Sequence, residues 1–517
     1  MNGGASDMES EKQTRRRAPW GRLIFGMVTS VVLVAAVLGI CMTPLPAGLV
    51  DKPKGDAAAT RRRVDQTQLM YYCPSRMALS DKGQYGDKEF RASEGNQASA
   101  GRYAAFGSVY KATVGPLQGE NASGAQTLQG NDTTEEATVK MLSTSADVSK
   151  AFDVRLLAAK SGTGAVGTTA SWATRGDLTG LSAASCAAPS ARQIFLTGPT
   201  TEGNTQQLLV ANPSAKAASL NIRVWGSKQG ESIPLSTGST LNVKAYGEAS
   251  MELSSAAPDQ DGLYVEVIGK QVPVAAIIRS VKASGLTALG SDFSESLPKP
   301  AGRILIPGVK AGDAVTMIAR ADKTTEATFS WVNSNGVVEA DRRGLKAGKV
   351  TTVNLSKAPD DAIGIEVQAS SPISASALTN VSDDGGRMDF AYAVQGAAFG
   401  RSALTLPDKT EGELTMLNSS DAATRVQING YDAQGASAGV KEYTLPAHGG
   451  VRLQAAELHE SAVAFTVSCD QSVVWSARLS QHDLDDASIP GVAYVSSSAL
   501  EPSNAQILVR ADRSIVH

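Results

Sequence analysis

Residues that carry chemistry are scarce in this sequence. Its 517 residues include four histidines and four cysteines, and aromatics make up 5 %. No HExxH, CxxC or P-loop pattern occurs, which removes the usual zinc and nucleotide-phosphate motifs. Neither sign of charge dominates: 48 Lys and Arg stand against 51 Asp and Glu, for a formal net charge of −3. That balance gives no electrostatic basis for nucleic-acid binding. Hydrophobic content of 42 % excludes general disorder, and the length exceeds what one core organises. Glycine (49) and proline (21) are plentiful, a composition that suits short strands joined by many turns.

Residues 23–42 form an uncharged run, LIFGMVTSVVLVAAVLGICM, long enough for a helix across a hydrocarbon core of roughly 30 Å. Lys12, Arg15, Arg16, Arg17 and Arg22 precede it. This predicts a single-pass anchor, with residues 1–22 in the cytoplasm and the C-terminal bulk outside. The rival reading is a cleaved signal peptide, but the run exceeds an h-region and no clear small-x-small cleavage site follows. Residues 43–67, with prolines and charges, read as a tether.

The remainder repeats. Tyr264-Val265-Glu266-Val267 returns as Gly364-Ile365-Glu366-Val367 and as Ala464-Phe465-Thr466-Val467, each 100 residues after the last. The units also open alike, on Arg192-Gln193-Ile194-Phe195, Arg303-Ile304-Leu305-Ile306 and Arg401-Ser402-Ala403-Leu404. Leu220, Ile222 and Val224 alternate with Asn221 and Arg223, as in strands with one buried face. The predicted class is therefore all-β: tandem immunoglobulin-like sandwiches of about 100 residues in a rod or arc. They cover 191–298, 299–398 and 399–517, the last completed by Gln506-Ile507-Leu508-Val509. A divergent first β-domain occupies 68–190, and its polar stretch between Asp81 and Asn131 is expected to be a loop insertion.

Cys73 and Cys186 bracket that first domain and, in an oxidising exterior, are expected to form a disulfide. Cys41 belongs to the anchor. Cys469 is left over, either a buried thiol or a partner for another chain.

The anchor, the tether into Cys73-Pro74, the segment from Gly176-Asp177-Leu178 to Cys186-Ala187-Ala188-Pro189, and the sandwich units resemble an uncharacterised family of actinobacterial secreted or membrane-anchored proteins. The resemblance implies an envelope protein and offers no catalytic motif to carry over.

Candidate chemistry is thin. Ser296-Leu297-Pro298-Lys299 spells Ser-x-x-Lys, but it lies among prolines between two units, without SDN or KTG companions. Asp360-Asp361, Asp383-Asp384 and Asp485-Asp486 read as turn residues, because neighbours on a strand face opposite ways. His448, His459 and His482 lack ligand spacing. Trp225 and Tyr431 follow equivalent strands on the polar phase, and are either ligand-contact aromatics for sugar rings or packing between units. The expected function is a non-catalytic, membrane-tethered extracytoplasmic scaffold of the bacterial cell envelope, with no cofactor and no metal. The alternative is a cell-wall glycan-binding array. Expected partners are an envelope protein or wall glycan, and the membrane through the N-terminal helix.

Overall fold

Strands form where apolar and polar residues alternate. Ala218–Trp225 buries Leu220, Ile222 and Val224 and exposes Ser219, Asn221 and Arg223. In the computed structural model the described residues are 60–81, 91–117, 123–134, 138–396 and 398–509, and they are overwhelmingly β-strand. The anchor, the basic N-terminus, Cys41 and most of the tether lie outside them. Among the described residues no helix is long and apolar enough to cross a membrane.

Two compact units are present. The smaller comprises residues 1–64 and 505–517, and its described part belongs to a two-stranded sheet of Thr60–Asp65 with Asn504–Val509. The C-terminal strand, expected to complete the last sandwich, thus pairs with the end of the tether.

The larger unit, residues 65–504, contains four bodies with one strand order. The second body shows it in full. Its eight strands are Arg192–Thr197, Asn204–Ala211, Ala218–Trp225, Thr240–Val243, Glu248–Glu252, Leu263–Gly269, Ala275–Ser284 and Thr287–Ser294. The first pairs with the sixth, the sixth with the third, and the third with the fourth. The opposing sheet runs fifth, second, seventh, eighth. Apolar side chains from both sheets, among them Phe195, Leu208, Val224, Val265 and Ile278, share one core.

In the third and fourth bodies the sixth and seventh strands are continuous, as Gly364–Ser382 and Ala464–Ser480, and one strand serves both sheets. The first body has the same eight strands between Gln68 and Ser185. Its polar stretch is not a loop insertion: it holds the strands Ala98–Gly107, Val109–Gly115 and Gln126–Gln129. The disulfide Cys73–Cys186 joins the first strand of this body to the residue following its eighth. Gly167 makes room for it, since a Cβ there would lie 2.6 Å from the Cys186 sulfur.

A rod or arc of units is not what forms. The fourth body folds back onto the first. Arg102 donates to the Leu406 carbonyl and pairs with Asp408, both at 2.8 Å, and Trp172 Nε1 donates to Asp483 at 2.8 Å. The reason for closure lies in the eighth strands, Gly180–Ser185, Thr287–Ser294, Met388–Val394 and Ala493–Ser496, which meet within the larger unit. Asp389 of the third body is fully buried there. Its carboxylate accepts from Leu181 N of the first body at 3.0 Å and from Val492 N beside the fourth body's eighth strand at 3.1 Å. Asp292 of the second body accepts from Ala183 N at 3.2 Å and Tyr392 N at 2.8 Å. These acids satisfy backbone donors that no strand partner reaches. Gly180 and Gly290, both at positive φ, leave space for Asp389, because a Cβ on either would fall within 3 Å of its oxygens.

Candidate functional site

The two aromatics proposed for ligand contact have different fates. Trp225 is 8 % exposed. It sits where the second body meets the third, packed among Tyr264, Ile318, Val350 and Tyr392. Arg223 and Arg320 lie 4.7 and 4.6 Å from its ring centroid, and Tyr264 meets it edge-on at 5.5 Å. Trp225 is on the outward side of its own sheet, as its phase indicates, but a neighbouring body covers that side. Its π face therefore serves cations of this chain and is closed to a sugar ring. Trp225→Phe is expected to cost about 1 kcal/mol of stability, read as a lower urea midpoint, because a smaller π face holds the two guanidinium groups less well.

Tyr431 is half-buried and lines a cleft of about 800 Å³ where the first and fourth bodies meet. Its ring meets Phe106 of the first body edge-on at 6.0 Å, and its hydroxyl lies 3.4 Å from Thr466 Oγ1. Asn429 Nδ2 donates to the same Thr466 oxygen at 3.3 Å, and Gln427 donates to Asn429 at 3.3 Å. Lys140 and Lys160 of the first body and Arg401 of the fourth complete the lining. Among the described residues no carboxylate lines this cleft. One aromatic ring, amide side chains and cations in an open groove can hold a polar ligand with an apolar ring face.

A second cavity, of about 460 Å³, is lined by residues of all four bodies. Glu295 lines it and accepts from Ser185 N at 2.5 Å, and burial pushes its carboxyl above the usual range. Ser497 Oγ, also lining it, is buried without a hydrogen-bond partner among the described residues. Ser296, from the Ser-x-x-Lys letters, is exposed at its rim in an irregular link, not at the helix start that such an enzyme needs. Gly435-Ala436-Ser437-Ala438-Gly439 spells a serine-hydrolase elbow. It turns into the strand Ser437–Leu445 rather than a helix, so the required context is missing.

The remaining candidates are structural. Cys469 donates to the Phe399 carbonyl at 3.3 Å, and burial pushes its thiol up to about 11, so it stays protonated and poorly nucleophilic. Asp361 accepts from Asn333, Asp383 pairs with Arg387, and Asp485-Asp486 ends a short helix. His448 bridges Glu366 and Asp421. Among the described residues no group of His, Cys, Asp and Glu has the arrangement of a metal site. Sequence reasoning passed over Asp292 and Asp389. Their signal is a lone acid inside an apolar strand, as in Met388-Asp389-Phe390-Ala391-Tyr392.

The profile of a family of unknown function, DUF5719, matches residues 142–456. The chain belongs to this family. The match begins in the fifth strand of the first body and ends in the fourth body, so the family's common region crosses the body boundaries. Among curated proteins nothing matches. A solved structure of Salmonella alpha-2-macroglobulin reacted with methylamine aligns at 9 % identity over 86 % of this chain. This chain spans 30 % of that protein, and the TM-score of 0.10 carries no argument about fold.

Proposed function

We propose that this protein is a non-catalytic scaffold of the bacterial cell envelope, of the actinobacterial type that its sequence resembles. It is held at the membrane by residues 23–42, with its N-terminus in the cytoplasm and its four bodies, copies of an immunoglobulin-like repeat, outside. The observation that carries this reading is the buried junction of eighth strands, where Asp292 and Asp389 lock four bodies into one unit. A rigid closed unit presents fixed surfaces to partners, which is what a scaffold requires. The Cys73–Cys186 disulfide supports an oxidising location.

Photo-crosslinking side chains placed at Val338 and Val440, 56 % and 52 % exposed, test this in intact host cells. The expected result is a discrete ultraviolet-dependent adduct from at least one position; none from either, with the protein present at normal level, would count against a protein partner. A second reading, binding of cell-wall glycan, is favoured by the Tyr431 cleft. On that reading Tyr431→Ala reduces co-sedimentation of the full chain with delipidated host wall by at least about half, as expected for loss of a stacking ring. Unchanged retention would remove this reading.

A further inference from the structure

We infer that the cleft between the first and fourth bodies binds a carboxylate-bearing saccharide, whose carboxylate takes a place that the other three bodies fill with an acid of their own. This rests on the glycan-binding reading and names the class of glycan.

The observation is a comparison of the chain with itself. In every body the first strand runs antiparallel to the sixth in the same register, and in three of them an acid on the sixth strand is bound by a side chain from the first. In the first body Gln68, opposite Arg155, donates to Asp153 at 3.1 Å. In the second, Arg192, opposite Ile268, donates through Nε to Glu266 at 2.5 Å. In the third, Arg303, opposite Gln368, donates through Nε to Glu366 at 2.8 Å. All three acids are at least nine-tenths buried. The fourth body keeps the arginine: Arg401 lies opposite Ser468 in the equivalent place. The acid is gone, and Thr466 occupies its position. Arg401 is exposed and joins no ion pair among the described residues.

This substitution falls where the cleft is. Thr466, Asn429, Tyr431 and Arg401 line one side, and Lys140 and Lys160 line the other. A guanidinium favours a carboxylate, because two parallel N–H donors match its two oxygens. Beside it, Asn429 and Thr466 offer hydroxyl partners and Tyr431 offers a ring. Anion, hydroxyl and ring-face recognition within one cleft is the chemistry of an acidic sugar rather than of a simple anion.

The test is calorimetric titration of the full chain, in detergent-containing buffer, with trigalacturonic acid, its methyl ester and glutarate. Trigalacturonic acid is expected to bind at least tenfold tighter than either, a difference of about 1.4 kcal/mol. Thr466→Glu restores the acid of the other bodies, so it is expected to fold normally and, by occupying Arg401 from within, to weaken the trimer at least tenfold more than Thr466→Gln, which adds the same bulk without the charge. Arg401→Gln is expected to weaken the trimer at least tenfold as well. No binding of the acidic trimer, equal binding of its ester or of glutarate, or native affinity in Thr466→Glu would each overturn the proposal. Wall retention separates the two levels. Retention that depends on Tyr431 but survives both Thr466→Glu and Arg401→Gln overturns the acidic class alone; retention indifferent to Tyr431 removes the glycan reading beneath it.

Discussion

Asp389→Ala is expected to lower the unfolding free energy of the larger unit by about 3–6 kcal/mol and to separate its cooperative transition into more than one step. The side chain accepts from Leu181, Val492 and Phe390 backbone N–H groups, which belong to or adjoin three different bodies. Each buried donor left without an acceptor costs about 1–3 kcal/mol, and removing a desolvated carboxylate offsets part of the sum. Urea unfolding followed by both circular dichroism and tryptophan fluorescence checks it. Coincident transitions at the native midpoint would show that apolar packing alone closes the unit. Asp389→Asn keeps the shape and one carbonyl acceptor but places NH2 where a carboxyl oxygen stood, so an intermediate loss is expected.

The same acid predicts a pH dependence. Burial pushes the Asp389 carboxyl well above the usual range, against the pull of the backbone donors, and Asp292 nearby is pushed the same way. The folded chain therefore holds protons that the unfolded chain has lost above about pH 4. The contribution of these groups to stability is greatest at low pH and falls as pH rises through their folded values. A smaller loss of midpoint between pH 5 and pH 8 in Asp389→Asn than in the native chain is the expected signature.

The second large effect belongs to the disulfide. Cys73 and Cys186 are separated by 113 residues, and opening a loop of that size releases chain entropy on the order of 4–5 kcal/mol to the unfolded state. The double substitution Cys73→Ala with Cys186→Ala is expected to destabilise by about that amount. Hydrogen exchange localises the effect: amides of Gln68–Cys73 and its neighbour Lys150–Leu156 should lose protection first, while those of the third body keep theirs. Equal loss everywhere would mean that the first body does not unfold independently of the closed unit.

The strands were most legible where one face meets solvent. Ala218–Trp225 and Thr424–Tyr431 alternate because only one side packs against a core. Legibility failed where both faces are covered. Gly164–Ala173 is buried at all of its positions, and Ala98–Gly107 at most of them. Small residues suit such a strand, because a second body approaches its outer face, and a strand covered on both faces shows no period of two. Ala98–Gly107 lies in a stretch that in sequence looks like polar, glycine-rich loop, which is why an insertion was expected between Asp81 and Asn131.

The candidate site divides in the same way. Tyr431 and Arg401 stand in recognisable places in the repeat, and the change from Glu366 to Thr466 can be read at a spacing of 100 residues. What that change means depends on the first body lying opposite, and closure puts Lys140 and Lys160 there from more than 240 residues away. Trp225 carries the same sequence signal as Tyr431, yet the third body covers it.

By itself, then, the sequence determined local matters: strands from alternation, a recurrence at 100 residues along the later part of the chain, one disulfide from the two cysteines that bracket residues 73–186. These depend on residues near in the chain or on a pattern repeated along it. Tertiary structure alone decided which outward faces stay open, because that follows from how bodies pack on one another. Packing turns on a few buried groups such as Asp389, whose partners lie more than 100 residues away on both sides.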